Sequence, residues 1–257
     1  MRNNVLAYVT FGSTILMFVG AFLVINLFGF NVTGDLEGPP VQLYLEPAGY
    51  AFIIWGFIYL GFIGLGAYQL REKVRGNVAF QRARGWIILN AISNLTWFAG
   101  VLTNQLGVTV VCMMIMLFTL IQLSILLELG KAGGDWREKL FVKLPLALYF
   151  GWITVASVVN TTAWLLTDLG WTGEESLGPQ GWSVLMLSIA TGIIVSLFVT
   201  RKVNGAYLLV GVWALIAIYV ANASVGTLVA YTAIGLAAFL LIVLFIPQPK
   251  GKPAHLL

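Results

Sequence analysis

Asparagine and aromatic side chains recur at helical spacing within otherwise apolar stretches of the sequence. Asn90, Asn94 and Trp97 are spaced i, i+4 and i+7, so they share one face of a helix. A second stripe, at intervals of four residues, comprises Trp152, Ala156, Asn160 and Trp164. A third comprises Phe52, Trp55, Tyr59, Phe62 and Gly66. Flat rings beside a few neutral hydrogen-bonding groups suit the binding of a large planar apolar ligand.

The same stripes also have a purely structural interpretation. A buried amide costs free energy unless it is hydrogen-bonded, and asparagines join neighbouring helices in membrane proteins. Aromatic rings fill cores, and rings near helix ends form the interfacial belt, which is the predicted place of Trp86, Trp136, Trp171 and Trp182. Trp55, Trp97 and Trp152 lie well inside their stretches. For these three, the sequence leaves a ligand pocket and plain packing both open.

The charged residues and the histidine that carry most enzyme chemistry lie outside the apolar stretches. The single histidine, His255, is in the C-terminal tail, and the single cysteine, Cys112, is in mid-helix. No lysine falls in any stretch, which excludes a retinal Schiff base. Ion-coupled transport and acid–base or metal catalysis usually place ionisable residues inside the bundle. The sequence therefore speaks against an ion-driven pump and a conventional enzyme, and it predicts no cofactor requirement.

Six long charge-free stretches predict the helices that position the stripes. The chain is 60% hydrophobic and 9% charged, with a mean hydropathy of +0.93, so its solvent is a bilayer. A span needs about 20 residues. The two longest stretches therefore hold helical pairs, with turns at 103–107 and 221–226. The predicted fold is an all-α integral membrane protein with eight transmembrane helices. The charge-free stretches are 3–34, 47–70, 85–127, 144–167, 176–200 and 203–249.

The basic residues predict the orientation. With eight spans, all 14 Lys and Arg residues fall on one side of the membrane, and the opposite loops carry acidic residues and no base. A count of seven or nine spans would place basic residues on both sides of the membrane. By the positive-inside rule, both termini are predicted to be cytoplasmic. The net charge of +4 then reflects orientation, so lipids rather than nucleic acid are the expected partners. The clean pattern and the lack of a targeting presequence favour a bacterial inner membrane.

The most distinctive motifs lie on the second, third and fifth predicted helices. They are PAGYAFIIWGFIY (47–59), NAISNLTWFAG (90–100) and LPLALYFGWITVASVVNTTAWL (144–165). They resemble three segments of the tryptophan-rich TspO/MBR family, the relatives of the translocator protein. The resemblance covers about residues 8–168. It implies a TspO-like five-helix membrane domain at 1–169, followed by three additional transmembrane helices and a short basic tail at 170–257.

The resemblance implies a porphyrin-binding pocket beneath the loop at 31–46, between the first two helices. Carried over from the family motifs, the residues that would line this pocket are Tyr50, Trp55, Tyr59, Asn94, Trp97, Trp152 and Asn160. Together with Phe52, Asn90 and Ala156 from the same stripes, these are the candidate ligand-binding residues. Tyr50 stands where many family members have tryptophan, and the sterol-recognition pattern that some members carry after the fifth helix is missing.

The resemblance implies binding of a tetrapyrrole such as protoporphyrin, in a sensory, regulatory or carrier role. A transporter of small hydrophobic molecules, an enzyme that breaks down bound porphyrin photochemically, and a scaffold without a ligand are the alternatives. Family members often form dimers, but the three additional helices would cover a face that shorter relatives use for dimerisation. A homodimer and a monomer therefore both stay open.

Overall fold

A computed structural model of the chain describes residues 2–27, 44–131, 133–171, 177–200, 202–225 and 227–246. Within these ranges the chain is all-helical, and eight helices are long and apolar enough to cross a membrane. This confirms the predicted all-α, eight-span architecture, whereas the cytoplasmic placement of the termini stays a prediction. The spans are α1 (Arg2–Leu27), α2 (Ile54–Tyr68), α3 (Val78–Leu102), α4 (Leu106–Leu126), α5 (Leu144–Thr167), α6 (Gly178–Val199), α7 (Gly205–Asn222) and α8 (Leu228–Phe245).

The helix ends follow local sequence signals. Asn77, Asn204 and Thr227 each precede a span, and their side-chain oxygens accept hydrogen bonds from backbone N–H groups of the first turn. The predicted turn between α3 and α4 is present at residues 103–105, and a 3-10 turn, Ala223–Val225, separates α7 from α8. Another 3-10 turn, Gly49–Ile53, leads into α2. The predicted outer loop at 31–46 lies mostly outside the described residues, as does His255.

Helix α5 lies at the centre of the bundle, and more than half of its residues are buried. It packs against α2, α4 and α7, while α3 packs between α1 and α4. Trp136–Glu138 and a π-helical turn, Lys139–Lys143, lead into α5 from the face that carries the bases. The predicted stripes on α2, α3 and α5 therefore converge on the same interior.

Helix α7 is joined to α5 and to the segment that leads into α2 by hydrogen bonds along its length. The Tyr207 hydroxyl lies 2.9 Å from Thr154 Oγ1 on α5. Nearer the other end, Trp213 Nε1 donates to the Ala51 carbonyl at 3.2 Å, and the Ala217 carbonyl accepts from the Ala48 N–H at 3.0 Å. Helix α7 therefore packs directly on the first five spans. The division of the chain at residue 169 stays a prediction.

Arg84 is an ionisable side chain that lies inside the bundle. The sequence places it between the second and third helices, but α3 begins at Val78, so Arg84 falls in its second turn and is 1% exposed. Its Nε donates to Gln69 Oε1 at 2.9 Å, and its Nη2 donates to the Arg75 carbonyl at 2.8 Å. Gln69 in turn donates to the Ala7 carbonyl of α1. These hydrogen bonds offset the desolvation of the guanidinium, and the expectation of an interior without charge is wrong here.

The close approach of α5 and α7 depends on Gly151. A Cβ at this position would lie 2.8 Å from the Tyr207 carbonyl oxygen and 2.9 Å from Val210 Cβ. We expect Gly151→Ala to destabilise the protein by about 1–3 kcal/mol, the usual cost of overpacking. Gly192→Ala on α6 is the control, because nothing lies within 4 Å of its added Cβ, and alanine favours the helix. Thermal unfolding in detergent compares them, and equal midpoints would contradict the close contact.

Candidate ligand-binding site

Six aromatic residues from three spans and the 3-10 turn before α2 form one contiguous group in the interior. The indole of Trp55 is at its centre and is stacked on Tyr59, with ring centroids 5.3 Å apart, and on Trp97, at 6.2 Å. Trp55 makes T-shaped contacts with its other two neighbours, and the ring centroids are 5.8 Å apart for Tyr149 and 6.4 Å apart for Trp152. Phe52 extends the group by an edge contact with Trp152 at 5.6 Å. We call this group the Trp55 cluster: Phe52, Trp55, Tyr59, Trp97, Tyr149 and Trp152.

Helical spacing explains how the chain brings these rings together. Trp55 and Tyr59 are one turn apart on α2, and Tyr149 and Trp152 are about one turn apart on α5. Trp97 comes from α3. All five of these side chains are buried, so their rings face the protein and not the lipid. This burial agrees with both interpretations of the mid-span tryptophans, a ligand pocket and plain packing.

The Asn94 amide connects the cluster through hydrogen bonds. Asn94 is fully buried, and its Oδ1 accepts from the Tyr59 hydroxyl at 3.5 Å, while its Nδ2 donates to the Tyr149 hydroxyl at 3.3 Å. The Tyr149 hydroxyl also donates to Met116 Sδ of α4 at 3.1 Å. Asn94 therefore fixes both tyrosines on opposite sides of one amide group.

A second amide lies at the other end of the cluster. Trp97 Nε1 donates to Asn160 Oδ1 at 3.4 Å, and Asn160 Nδ2 donates to the Ala156 carbonyl at 2.9 Å. Asn160 and Ala156 are partly buried, unlike Asn94. The structure thus places Asn160 beside the cluster, as its neutral polar group towards the C-terminal end of α5, and Ala156 holds the Asn160 amide.

Two candidate residues lie apart from the cluster. Tyr50 is 43% exposed, and its ring contacts the edge of Trp213 at 5.2 Å. Asn90 is buried on the same face of α3 as Asn94, but its Nδ2 donates to Thr119 Oγ1 of α4 at 2.7 Å. Its Oδ1 has no hydrogen-bond partner among the described residues. Asn90 therefore joins α3 to α4, and its predicted part in ligand binding stays a prediction, as does that of Tyr50.

Two residues of the site escaped the sequence analysis. Tyr149 precedes Trp152 by three residues, so the same helical spacing that singled out Trp152 could have found it. Met116 contributes a thioether sulfur that accepts from Tyr149 and, at 3.8 Å, from Asn94 Nδ2. No sequence signal marks one methionine of α4 among several apolar neighbours. The site is therefore shared by four spans, α2, α3, α4 and α5.

The chemistry available at the Trp55 cluster is that of flat apolar faces and neutral hydrogen-bonding groups. Its members are phenyl, phenol and indole rings, with amides beside them. Within the part of the chain that the structure describes, no group of three His, Cys, Asp or Glu side chains could hold a metal ion. The arrangement suits stacking and hydrogen bonding to a planar molecule.

The fold and the cluster define a multi-span helical membrane protein with a tryptophan-rich interior. The family model of TSPO-like proteins matches residues 5–246, so the chain belongs to the TSPO-like protein family. No curated protein and no solved structure matches the chain significantly. The family match confirms the resemblance and extends it, because α6, α7 and α8 lie within the matched region. Membership indicates an integral membrane protein of a ligand-binding or sensory kind.

Proposed function

We propose that the protein binds a planar apolar ligand at the Trp55 cluster, and that the ligand is a tetrapyrrole such as protoporphyrin. The observation that carries the proposal is the position of Trp55, whose buried indole contacts four other rings from α2, α3 and α5. Binding would serve a sensory, regulatory or carrier role, as the family suggests.

The ring geometry favours a flat ligand over a compact one. Trp55, Tyr59 and Trp97 are nearly parallel, with interplanar angles of 19° and 28° to Trp55. These rings already contact one another, so a macrocycle can enter only if the rings move apart. Each ring then loses a contact with a neighbouring ring and gains a contact with the face of the ligand. Aromatic pairs contribute about 0.5–1.5 kcal/mol beyond their buried area, so this exchange costs little. The amides of Asn94 and Asn160 offer neutral hydrogen bonds at the two ends.

The proposal is tested by titrating the purified protein in detergent with protoporphyrin and following tryptophan fluorescence. We expect saturable quenching at micromolar ligand. Trp152→Phe keeps an aromatic ring but removes the indole, so we expect it to weaken binding about three- to tenfold, the equivalent of one lost ring contact. Trp136→Phe is the matched control, because Trp136 is 64% exposed and lies outside the cluster.

The outcomes separate the alternatives. Quenching that does not saturate, or that is equal in both variants, would mean partition into detergent, and the cluster would then be core packing. Light-dependent loss of bound protoporphyrin that Trp152→Phe abolishes would add a photochemical reaction to binding. Movement of protoporphyrin across vesicles that hold the wild type, but not across vesicles that hold Trp152→Phe, would favour a transporter.

A further inference from the structure

A basic cavity lies at the ends of the spans, on the face that carries the lysines and arginines. It measures about 460 Å³ and lies between the segment that joins α4 to α5 and the start of α7. Three lysines line it, Lys131, Lys139 and Lys143, and Asn204 contributes from the start of α7. A cavity with three ammonium groups at the end of a membrane bundle is placed where lipid head groups lie.

The hydrogen bonds around the cavity hold one lysine inside it. Lys143 is 8% exposed, and its Nζ donates to the Lys131 carbonyl at 2.7 Å and lies 3.8 Å from Glu138 Oε1. Lys131 forms an exposed ion pair with Glu128 at 3.1 Å. Lys139 has no ion pair with any described residue. Three ammonium groups therefore face two carboxylates, and the cavity retains a positive charge.

An apolar groove continues from the cavity along the bundle. It measures about 320 Å³ and lies between α2, the start of α5 and α7. Leu144 and Ala206 line both the cavity and the groove, so the two spaces adjoin. From Ala206 the groove reaches Trp213, a rise of about 10 Å on α7 at 1.5 Å per residue. This is about two-thirds of the hydrocarbon thickness of one leaflet.

We propose that the cavity and the groove together bind one anionic glycerophospholipid. Its phosphate lies among Lys131, Lys139 and Lys143, and one acyl chain lies in the groove along α7. Charge complementarity selects the head group, because the lysines attract an anion and the groove lining offers only apolar contacts and the indole of Trp213. This site is distinct from the Trp55 cluster, and α7 contributes to both the cavity and the groove.

The test compares lipid retention by the purified full-length protein, measured by native mass spectrometry. Equal amounts of dioleoyl phosphatidylglycerol and dioleoyl phosphatidylcholine, which share their acyl chains, are added in detergent. We expect the wild type to retain the anionic lipid preferentially. Lys131→Gln/Lys139→Gln should reduce that preference by about fivefold or more, the ratio expected for loss of one to two basic contacts. Both lysines are exposed, so the variant should fold.

The matched control is Lys73→Gln, an exposed lysine of the short helix Glu72–Arg75 outside the cavity. It should retain the wild-type preference. Equal retention of the two lipids by the wild type would overturn the proposal, as would a preference that the double variant keeps. A third arm adds glycerol phosphate, the soluble head-group fragment. If it displaces phosphatidylglycerol at equal concentration, the cavity binds a soluble anion, and the lipid assignment is wrong.

Discussion

Trp55→Ala is expected to destabilise the bundle by about 3–5 kcal/mol, the range measured for removal of a large aromatic side chain from a protein core. The indole contacts four rings from three helices, so its loss leaves a cavity that no single neighbour can fill. Lipid chains are as apolar as the core, and the loss is therefore mainly one of packing contacts. Unfolding in mixed detergent micelles measures the change.

Trp136→Ala provides the comparison for this effect, because Trp136 is 64% exposed. We expect it to change the free energy of unfolding by less than about 0.5 kcal/mol, as surface substitutions usually do. If Trp55→Ala were as mild as Trp136→Ala, the rings around Trp55 would be loosely arranged. The description of a packed cluster that parts to admit a ligand would then be wrong.

Asn94→Leu is expected to have the second largest effect, a loss of about 2 kcal/mol. The substitution leaves the Tyr59 and Tyr149 hydroxyls without their amide partner inside the bundle, and an unsatisfied buried polar group costs about 1–3 kcal/mol. Tyr149 keeps its bond to Met116 Sδ, so the loss falls mainly on Tyr59. Asn26→Leu is the control, because that amide is exposed and bonds only within its own helix in the described structure.

A double-mutant cycle with Tyr59→Phe isolates the hydrogen bond. Once Asn94 is replaced, removal of the Tyr59 hydroxyl should cost less than in the wild type, because its partner is already absent. We expect a coupling of about 0.6–1.7 kcal/mol, the span from average to maximum for hydrogen bonds between membrane helices. Additive free energies would show that the 3.5 Å contact between Tyr59 and Asn94 contributes nothing to stability.

The spans and the inward faces could be predicted from sequence because lipid imposes simple rules. The lengths of the charge-free stretches predicted the number of spans. Because a buried amide has to face protein, Asn94 was correctly predicted to point into the bundle. Tyr50 shows where the family resemblance stops being a guide. It lies in the 3-10 turn Gly49–Ile53 that precedes α2, and its side chain is 43% exposed. Its ring lies on Trp213 instead.

Contacts between helices were less accessible from the sequence. Asn90 and Asn94 share a face but lie about 6 Å apart along α3, and Asn90 meets Thr119 of α4 instead of the rings. Whether an asparagine of α3 meets α4 or the rings depends on how α4 is aligned along α3. The sequence of one helix alone does not determine that alignment. The same holds for α7, whose docking on Ala51 and Thr154 rests on partners far apart in the chain. The match to TSPO-like proteins covers residues 5–246, so α7 lies within the matched region together with the first five spans.

The most direct test of the central claim is fluorine NMR of the protein with its nine tryptophans labelled as fluorotryptophan. Single Trp→Phe variants assign the resonances, and protoporphyrin is then titrated in detergent. A bound macrocycle shifts nuclei near its face, so we expect saturable shifts for Trp55, Trp97 and Trp152. The exposed Trp136 and Trp171 should stay unchanged. Shifts confined to Trp136 and Trp171 would place protoporphyrin on the outside of the bundle and contradict a ligand site at the Trp55 cluster.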